Sequence, residues 1–240
     1  MKESKTLLIL DFDNTVVNCF SSDTTLTLLK NQDLVYQIRH SPDPWSDCMQ
    51  KAFLEMKKEG IKIESLKEKI ENIKMNENMP DLFEYVIQNR EKYDLLIVSG
   101  STMLFLGWFL EKNHLTDIVK SYYALPTEIN EELFVKIGNI DHPVCKNGCK
   151  ADQCKTHNIE DYLSKHLDTK YERFVYVGDG DNDFCGALIL KEGDYLFVRN
   201  GYKLQKMLIE GKKEKEIKSK IMYWDTGLDI IKIMKEIKKN

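Results

Sequence analysis

The chain has 240 residues, 42% of them hydrophobic, and a formal charge of −4 from Lys+Arg 35 against Asp+Glu 39. That length supports one full domain plus a smaller insertion around a sizeable core, and the charge balance gives no electrostatic case for nucleic acid. No apolar run approaches the roughly 18 residues of a membrane helix, and six cysteines without a leader-like start read as reduced thiols, so a cytoplasmic protein is expected.

Leu7 to Leu10 is an apolar run of strand length that ends in Asp11 and Asp13. Residues two apart on a strand point the same way. Two like charges at a buried mouth repel unless a cation or a shared proton holds them. Mg²⁺ suits them, because hard cations prefer carboxylate and carbonyl oxygens. Such a pair also allows a division of labour, with Asp11 as nucleophile and Asp13 as the group that moves protons. Thr24 to Leu29 carries a helical apolar pattern, and Ser41-Pro-Asp-Pro44 breaks it. Trp45, Met49, Ala52, Phe53 and Met56 recur at three and four, an amphipathic helix. Further helices cover Ile63 to Ile73 and the stretch after Pro80 through Phe83, Val86 and Ile87. The helical, charged stretch 20–80 therefore reads as a cap inserted into a core built from 1–19 and 81–240.

Tyr93 to Val98 is a second strand, stopping at Ser99-Gly100, where a strand-to-helix turn offers a hydroxyl and an amide to an anion. Leu104, Phe105, Trp108 and Phe109 mark the buried face of the next helix. Val119 to Ala124 is a third strand, and Leu133 to Ile137 reads as half of a β-hairpin. Strands at Phe174–Val177 and Tyr195–Val198 alternate with helices at about 157–167, 184–191, 202–210 and 227–238. The Lys-rich stretch 212–220 reads as a solvated helical face. Alternating strands and helices argue for an α/β doubly wound parallel sheet. Ligands in such sheets bind beyond the carboxyl ends of the strands, where Asp11, Asp13, Ser99, Asp179 and Asp183 fall.

Gly178-Asp-Gly-Asp-Asn-Asp183 is the most specific stretch. Its glycines allow close backbone approach to a ligand, Asp179 and Asp183 add carboxylates for a metal, and Asn182 can orient phosphate. An EF-hand loop would need Glu where Leu190 stands. A lysine must balance this charge; Lys155 and Lys150 are the candidates. His142, Cys145, Cys149, Cys154 and His157 fall within sixteen residues. They read as a loop of reduced cysteines, with a zinc site as the alternative.

In order, Asp11 and Asp13, Val98-Ser-Gly-Ser101, Lys155 and Gly178–Asp183 resemble the motifs of the haloacid-dehalogenase-like (HAD) phosphatase superfamily. A closer resemblance lies in Asp11-Phe-Asp-Asn-Thr-Val-Val17, Cys154-Lys155, Gly178 to Cys185, Val198-Arg-Asn-Gly-Tyr-Lys-Leu204, Pro126-Thr-Glu-Ile-Asn130 and Trp224-Asp-Thr-Gly227. These are similar to the phosphoethanolamine/phosphocholine phosphatase family, which includes proteins assigned to pyridoxal 5′-phosphate. The resemblance implies a HAD-like, Rossmann-type core with a small helical cap. It implies a Mg²⁺-dependent phosphatase of a small soluble phosphomonoester acting through an aspartyl-phosphate. Asp11, Asp13 (through its main-chain carbonyl), Asp179 and Asp183 would surround the metal. Ser99, Gly100, Lys155, Asn182 and Asp23 would meet the phosphate or the substrate. Two departures stand out. The family's Ser-Asp-x-Asn reads Ser99-Gly-Ser-Thr102, and its early acidic residue arrives about one place late, as Asp23.

Pyridoxal 5′-phosphate, phosphocholine and phosphoethanolamine are the candidate substrates, with a phosphoserine-type ester as an alternative. From other classes come a phosphate-metabolite binding protein without turnover and a partner protein using the Lys-rich C-terminal helices. A monomer or homodimer is expected, with a small-molecule phosphate ester as partner and neither nucleic acid nor membrane.

Overall fold

In a computed structural model describing residues 5–132, 134–138, 145, 147–149, 152 and 154–237, β1 (Lys5–Leu10) lies in the middle of a six-stranded sheet. β2 (Tyr93–Thr102) and β3 (Val119–Leu125) extend it on one side. β6 (Tyr171–Gly178), β7 (Tyr195–Arg199) and β8 (Lys220–Trp224) extend it on the other. Every pairing in this sheet is parallel. The order β3-β2-β1-β6-β7-β8 reverses the direction of winding between β1 and β6. A reversal of this kind opens a crevice beyond the carboxyl ends of the two strands.

Alternation along β1 explains why it is the central strand. Leu7 and Ile9 enter one apolar cluster with Leu96, Val98, Tyr162 and Leu196, while Leu8 and Leu10 enter another with Leu95, Ile97, Phe105 and Val177. A strand apolar on both faces needs helices above and below it. α6 (Met103–Lys112) packs on one face, while α7 (Lys155–Lys165), α8 (Asp183–Ala187) and α9 (Lys203–Ile209) serve the other.

Between β1 and β2 the chain forms α1 (Ser21–Leu26), α2 (Gln32–His40), α3 (Trp45–Lys58), α4 (Ile63–Glu71) and α5 (Met79–Gln88). Their apolar residues Leu26, Val35, Ile38, Met49, Phe53 and Leu66 join the same cluster as Leu8 and Leu10. Phe53 meets Phe105 edge to face at 6.0 Å, so α3 is fastened to the helix after β2. β4 (Thr127–Asn130) and β5 (Phe134–Ile137) form the expected hairpin. The α3 side chain of Gln50 clasps it, donating to the Val135 carbonyl (3.0 Å) and accepting from Ile137 N–H (2.9 Å). α10 (Gly227–Ile237) closes against α5. A Cβ on Gly227 would stand 2.0 Å from the Asn78 carbonyl, which explains the glycine ending Trp224-Asp-Thr-Gly.

Three elements differ from the expectation. α2 carries only Val35 and Ile38 as buried residues, too few to stand out of a polar stretch. The Lys-rich stretch is not a helical face. A short 3₁₀ turn at Lys213–Glu216 leads into β8, whose Lys220 and Trp224 pair with Tyr195 and Arg199 at the sheet edge. β2 does not stop at Ser99-Gly100; it runs on to Thr102, whose hydroxyl accepts Phe105 N–H (3.3 Å) and starts α6.

Candidate active site

Asp11 follows β1 directly, Asp179 follows β6, and Asp183 opens α8, so the winding reversal brings three carboxylates together. All three are buried, and their oxygens lie within 4.8 Å of one another. Lys155, the first residue of α7 and 1% exposed, sends its ammonium 2.5 Å to Asp11 Oδ1 and 2.5 Å to Asp183 Oδ1. Asp183 is fully engaged. Its Oδ1 also accepts from the Tyr176 hydroxyl (2.7 Å), and its Oδ2 accepts the amides of Asp179 (2.9 Å) and Gly180 (2.8 Å). It thereby holds the turn that presents Asp179.

The glycines of this stretch also make room inside the turn itself, and Gly180 lines the cavity described below. A Cβ on Gly178 would come within 2.5 Å of the Asp183 carboxylate, and one on Gly180 within 2.5 Å of Asn182 Oδ1. They make room for the two side chains that follow them. Asn182 itself lines the cavity described below.

Three buried carboxylates face one buried ammonium, and the protonation equilibria of Asp11, Asp179 and Lys155 respond. Burial and the charge of Asp183 push Asp11 up to about 6 against the pull of Lys155. Burial, then Asp11 and Asp183, push Asp179 up to about 9. Burial alone would lower the lysine, but Asp11 and Asp183 together raise it. The cluster holds more negative charge than one lysine balances, and its donors are all hard oxygens. A divalent cation such as Mg²⁺ fits that set.

Asp13 stands apart from this group. Its oxygens accept the amide (3.0 Å) and hydroxyl (3.2 Å) of Ser21, whose hydroxyl also meets that of Ser101 at 2.7 Å. Burial raises Asp13 to about 7 despite the Ser21 bonds. Its side chain is thus poised to carry a proton, and it lies outside the group of carboxylates suited to a metal. Ser99 is buried, lines the same cavity as Asp13 and accepts the Ser101 amide (3.0 Å). Because β2 continues through Ser99 and Gly100, their amides are not at a helix N-terminus, contrary to expectation.

Two residues that sequence reasoning did not single out hold the loop after Asp11. Asn76 donates to the carbonyls of Thr15 (2.8 Å) and Val17 (2.9 Å). Arg199 donates to Asn76 Oδ1 (2.9 Å) and to the carbonyl of Asn14, a residue held at φ 55°. Thr15 in turn reaches Asp179 Oδ1 (3.4 Å). The only trace of this in the sequence is the Val198–Leu204 motif that contains Arg199.

A cavity of about 590 Å³ opens over these groups. Asp11, Asp13, Ser99, Gly100, Asp179 and Asn182 line its floor. Phe20, Asp23, Arg39 and Trp45 come from the segment before β2, and Tyr202, Lys203 and Lys206 from the start of α9. Asp23 arrives already paired, its Oδ1 2.9 Å from Arg39 Nε, with both side chains nearly half exposed. Arg39 was hidden because α2 was. Of the remaining expectations, Lys150, Leu133 and His142 lie outside the described residues. Among the described residues no helix is long and apolar enough to cross a membrane.

A parallel sheet carrying this acid cluster at its winding reversal has the fold of the haloacid-dehalogenase-like hydrolases. Consistent with that fold, a phosphoserine phosphatase solved as a phospho-aspartyl intermediate analogue superposes with a TM-score of 0.58 at 19% identity, over 87% of this chain and 99% of that one. The chain belongs to the family described as "Putative Phosphatase", whose profile matches residues 6–238. Curated relatives include pyridoxal phosphate phosphatase PHOSPHO2 of Homo sapiens, 29% identical over 232 residues, 95% of this chain and 96% of that protein. A phosphoethanolamine/phosphocholine phosphatase of Gallus gallus is 27% identical over 241 residues, 98% of this chain and 90% of that protein.

Proposed function

We propose that the chain is a Mg²⁺-dependent phosphatase of a small phosphomonoester that works through an aspartyl-phosphate on Asp11. One observation carries this reading: the buried Asp11, Asp179 and Asp183 cluster with Lys155 as its buried counter-charge. Asp11 and Asp179, with the Asp13 main-chain carbonyl, would hold Mg²⁺, while Asp183 fixes the turn and Lys155. Bound there, the cation supplies neutralisation of the phosphate and of the charge that grows on it.

The chain's own groups then divide the work. A carboxylate oxygen of Asp11 bonds to phosphorus, the ester P–O bond breaks, and Asp13 gives its proton to the leaving oxygen. Asp13, now a carboxylate, takes a proton from a water whose oxygen attacks the same phosphorus. The P–O bond to Asp11 breaks, inorganic phosphate leaves, and both aspartates return to their starting forms. Ser99, Gly100, Asn182 and Lys155 position the phosphate. The segment 20–80 serves as the cap whose inner wall selects the rest of the substrate.

Pyridoxal 5′-phosphate suits that wall best among the candidates. Phe20, Trp45 and Tyr202 offer flat apolar faces to a ring. Asp23 is neutralised by Arg39, and Gly100 carries no side chain, so the carboxylate that would attract an ammonium head is missing. Arg39 keeps a phosphoserine-type ester as the second reading. The test is phosphate release from pyridoxal 5′-phosphate, phosphocholine, phosphoethanolamine and phosphoserine, with Mg²⁺ and with EDTA. Metal-dependent release led by pyridoxal 5′-phosphate is expected. Release unaffected by EDTA, or none from any ester with Mg²⁺ bound, would overturn the reading and favour binding without turnover.

A further inference from the structure

Four of the six cysteines converge on one point. Cys145, Cys149, Cys154 and Cys185 place their sulfurs within 4.8 Å of one another. Cys185 lies 3.5 Å from Cys145 and 3.9 Å from Cys154. Disulfide sulfurs stand about 2.05 Å apart, so none of these distances is a bond. Four thiolates arranged tetrahedrally at a Zn–S length of about 2.3 Å stand about 3.8 Å apart, which those two distances bracket.

We propose that Cys145, Cys149, Cys154 and Cys185 form a structural zinc site. The three sequence-local cysteines are separated by three and four residues, within the two-to-four spacing of zinc knuckles. Gly148, at φ 76°, turns the first knuckle, and its amide returns to the Cys145 carbonyl at 3.0 Å. The fourth ligand comes from α8, thirty-one residues beyond Cys154, and no local spacing announces it. An outer layer is present too. The Asn147 amide donates toward Cys185 Sγ at 3.8 Å, as a group that orients a thiolate does, and the Thr156 hydroxyl donates to the Cys185 carbonyl (2.6 Å) and so fixes the backbone that carries the sulfur. Soft thiolates select zinc where the hard oxygens of the catalytic floor select Mg²⁺, so the two sites do not compete for one ion.

The site sits where it steadies the catalytic groups. Cys154 directly precedes Lys155, and Cys185 follows Asp183 by two residues, so one ion ties together both ends of the Lys155–Asp183 pair. Asp152, between Cys149 and Cys154, accepts the Ser46 amide (2.9 Å) at the start of α3, next to Trp45 on the cavity wall. Loss of the ion would loosen floor and wall together.

Metal analysis of the untagged chain, purified without chelator, tests this directly. One zinc per chain is expected, and Cys149→Ser should bring it close to none. In the wild type, Cys145 and Cys149, both partly exposed, should alkylate about tenfold more slowly than Cys19 until a zinc chelator is added. Four results overturn the proposal: a zinc-free chain, iron in place of zinc, an intact mass two hydrogens short, or Cys145 and Cys149 alkylating as fast as Cys19. The wild-type readouts stand even if the variant does not fold. Because none of them measures activity, they also succeed or fail independently of the phosphatase reading.

Discussion

The floor and the wall of the cavity are built on different physical terms. On the floor, Asp11, Lys155, Asp179 and Asp183 are buried, and the hydrogen bonds of Lys155 and Asp183 run from 2.5 to 2.9 Å. On the wall, Phe20 is half exposed and Asp23 and Arg39 form a pair open to water. Removing one partner of a buried charge pair costs about 3–5 kcal/mol, because the other charge is left buried and unpaired, whereas an exposed ion pair contributes about 0–1 kcal/mol and exchanges easily with solvent. On the proposed function, chemistry would be built into the rigid sheet end, and substrate choice into a surface that can change at small cost to the fold.

The sharpest break should come at Asp11. Asp11→Asn should lower kcat by a factor on the order of 10⁴ or more, since no other group takes over the nucleophile. Steady-state phosphate release and the absence of a trapped phosphoenzyme would check it. Lys155→Met should follow. It leaves Asp11 and Asp183 buried without their partner, at a cost of about 3–5 kcal/mol in stability. The measurement is a urea titration alongside the rate, and an unchanged midpoint would contradict the reading of Lys155 as the cluster's counter-charge.

A change at the other end of the sheet should alter stability without altering chemistry. Burial would raise the Asp94 carboxyl, but Lys120 (2.6 Å), Lys5 (2.8 Å) and the Tyr171 hydroxyl (2.7 Å) hold it below its ordinary value. A carboxyl lowered in the folded state contributes stability above its unfolded value near 3.9, and that contribution fades as pH falls through the folded value. Asp94→Asn should therefore cost about 2 kcal/mol at pH 7, with normal kcat. The gap in Tm between wild type and variant should close in acid. Least disruptive is Arg39→Ala on the wall. It frees Asp23, so the kcat/KM ratio of phosphocholine to pyridoxal phosphate should rise by about tenfold with no loss of stability. An unchanged ratio would show that the Asp23–Arg39 pair does not face the substrate.

What the sequence determined by itself was the floor. The apolar runs ending in Asp11 and at Gly178 state their strands by composition, and Asp11 and Asp179 follow those strands at once, so local pattern and final position coincide; Ser99 instead lies inside β2, which runs on to Thr102. Tertiary structure alone decided three things. Arg39 met Asp23 only because α2 formed, and α2 rests on two buried residues whose worth appears only when α3 covers them. Arg199 and Asn76 reached the Asn14–Val17 loop from 123 residues apart. Cys185 joined cysteines thirty-one or more residues earlier because β6 and α8 carry it there. Period and composition act over a turn or a strand, while a contact between distant segments depends on how the sheet is wound, and no short stretch of chain carries that information.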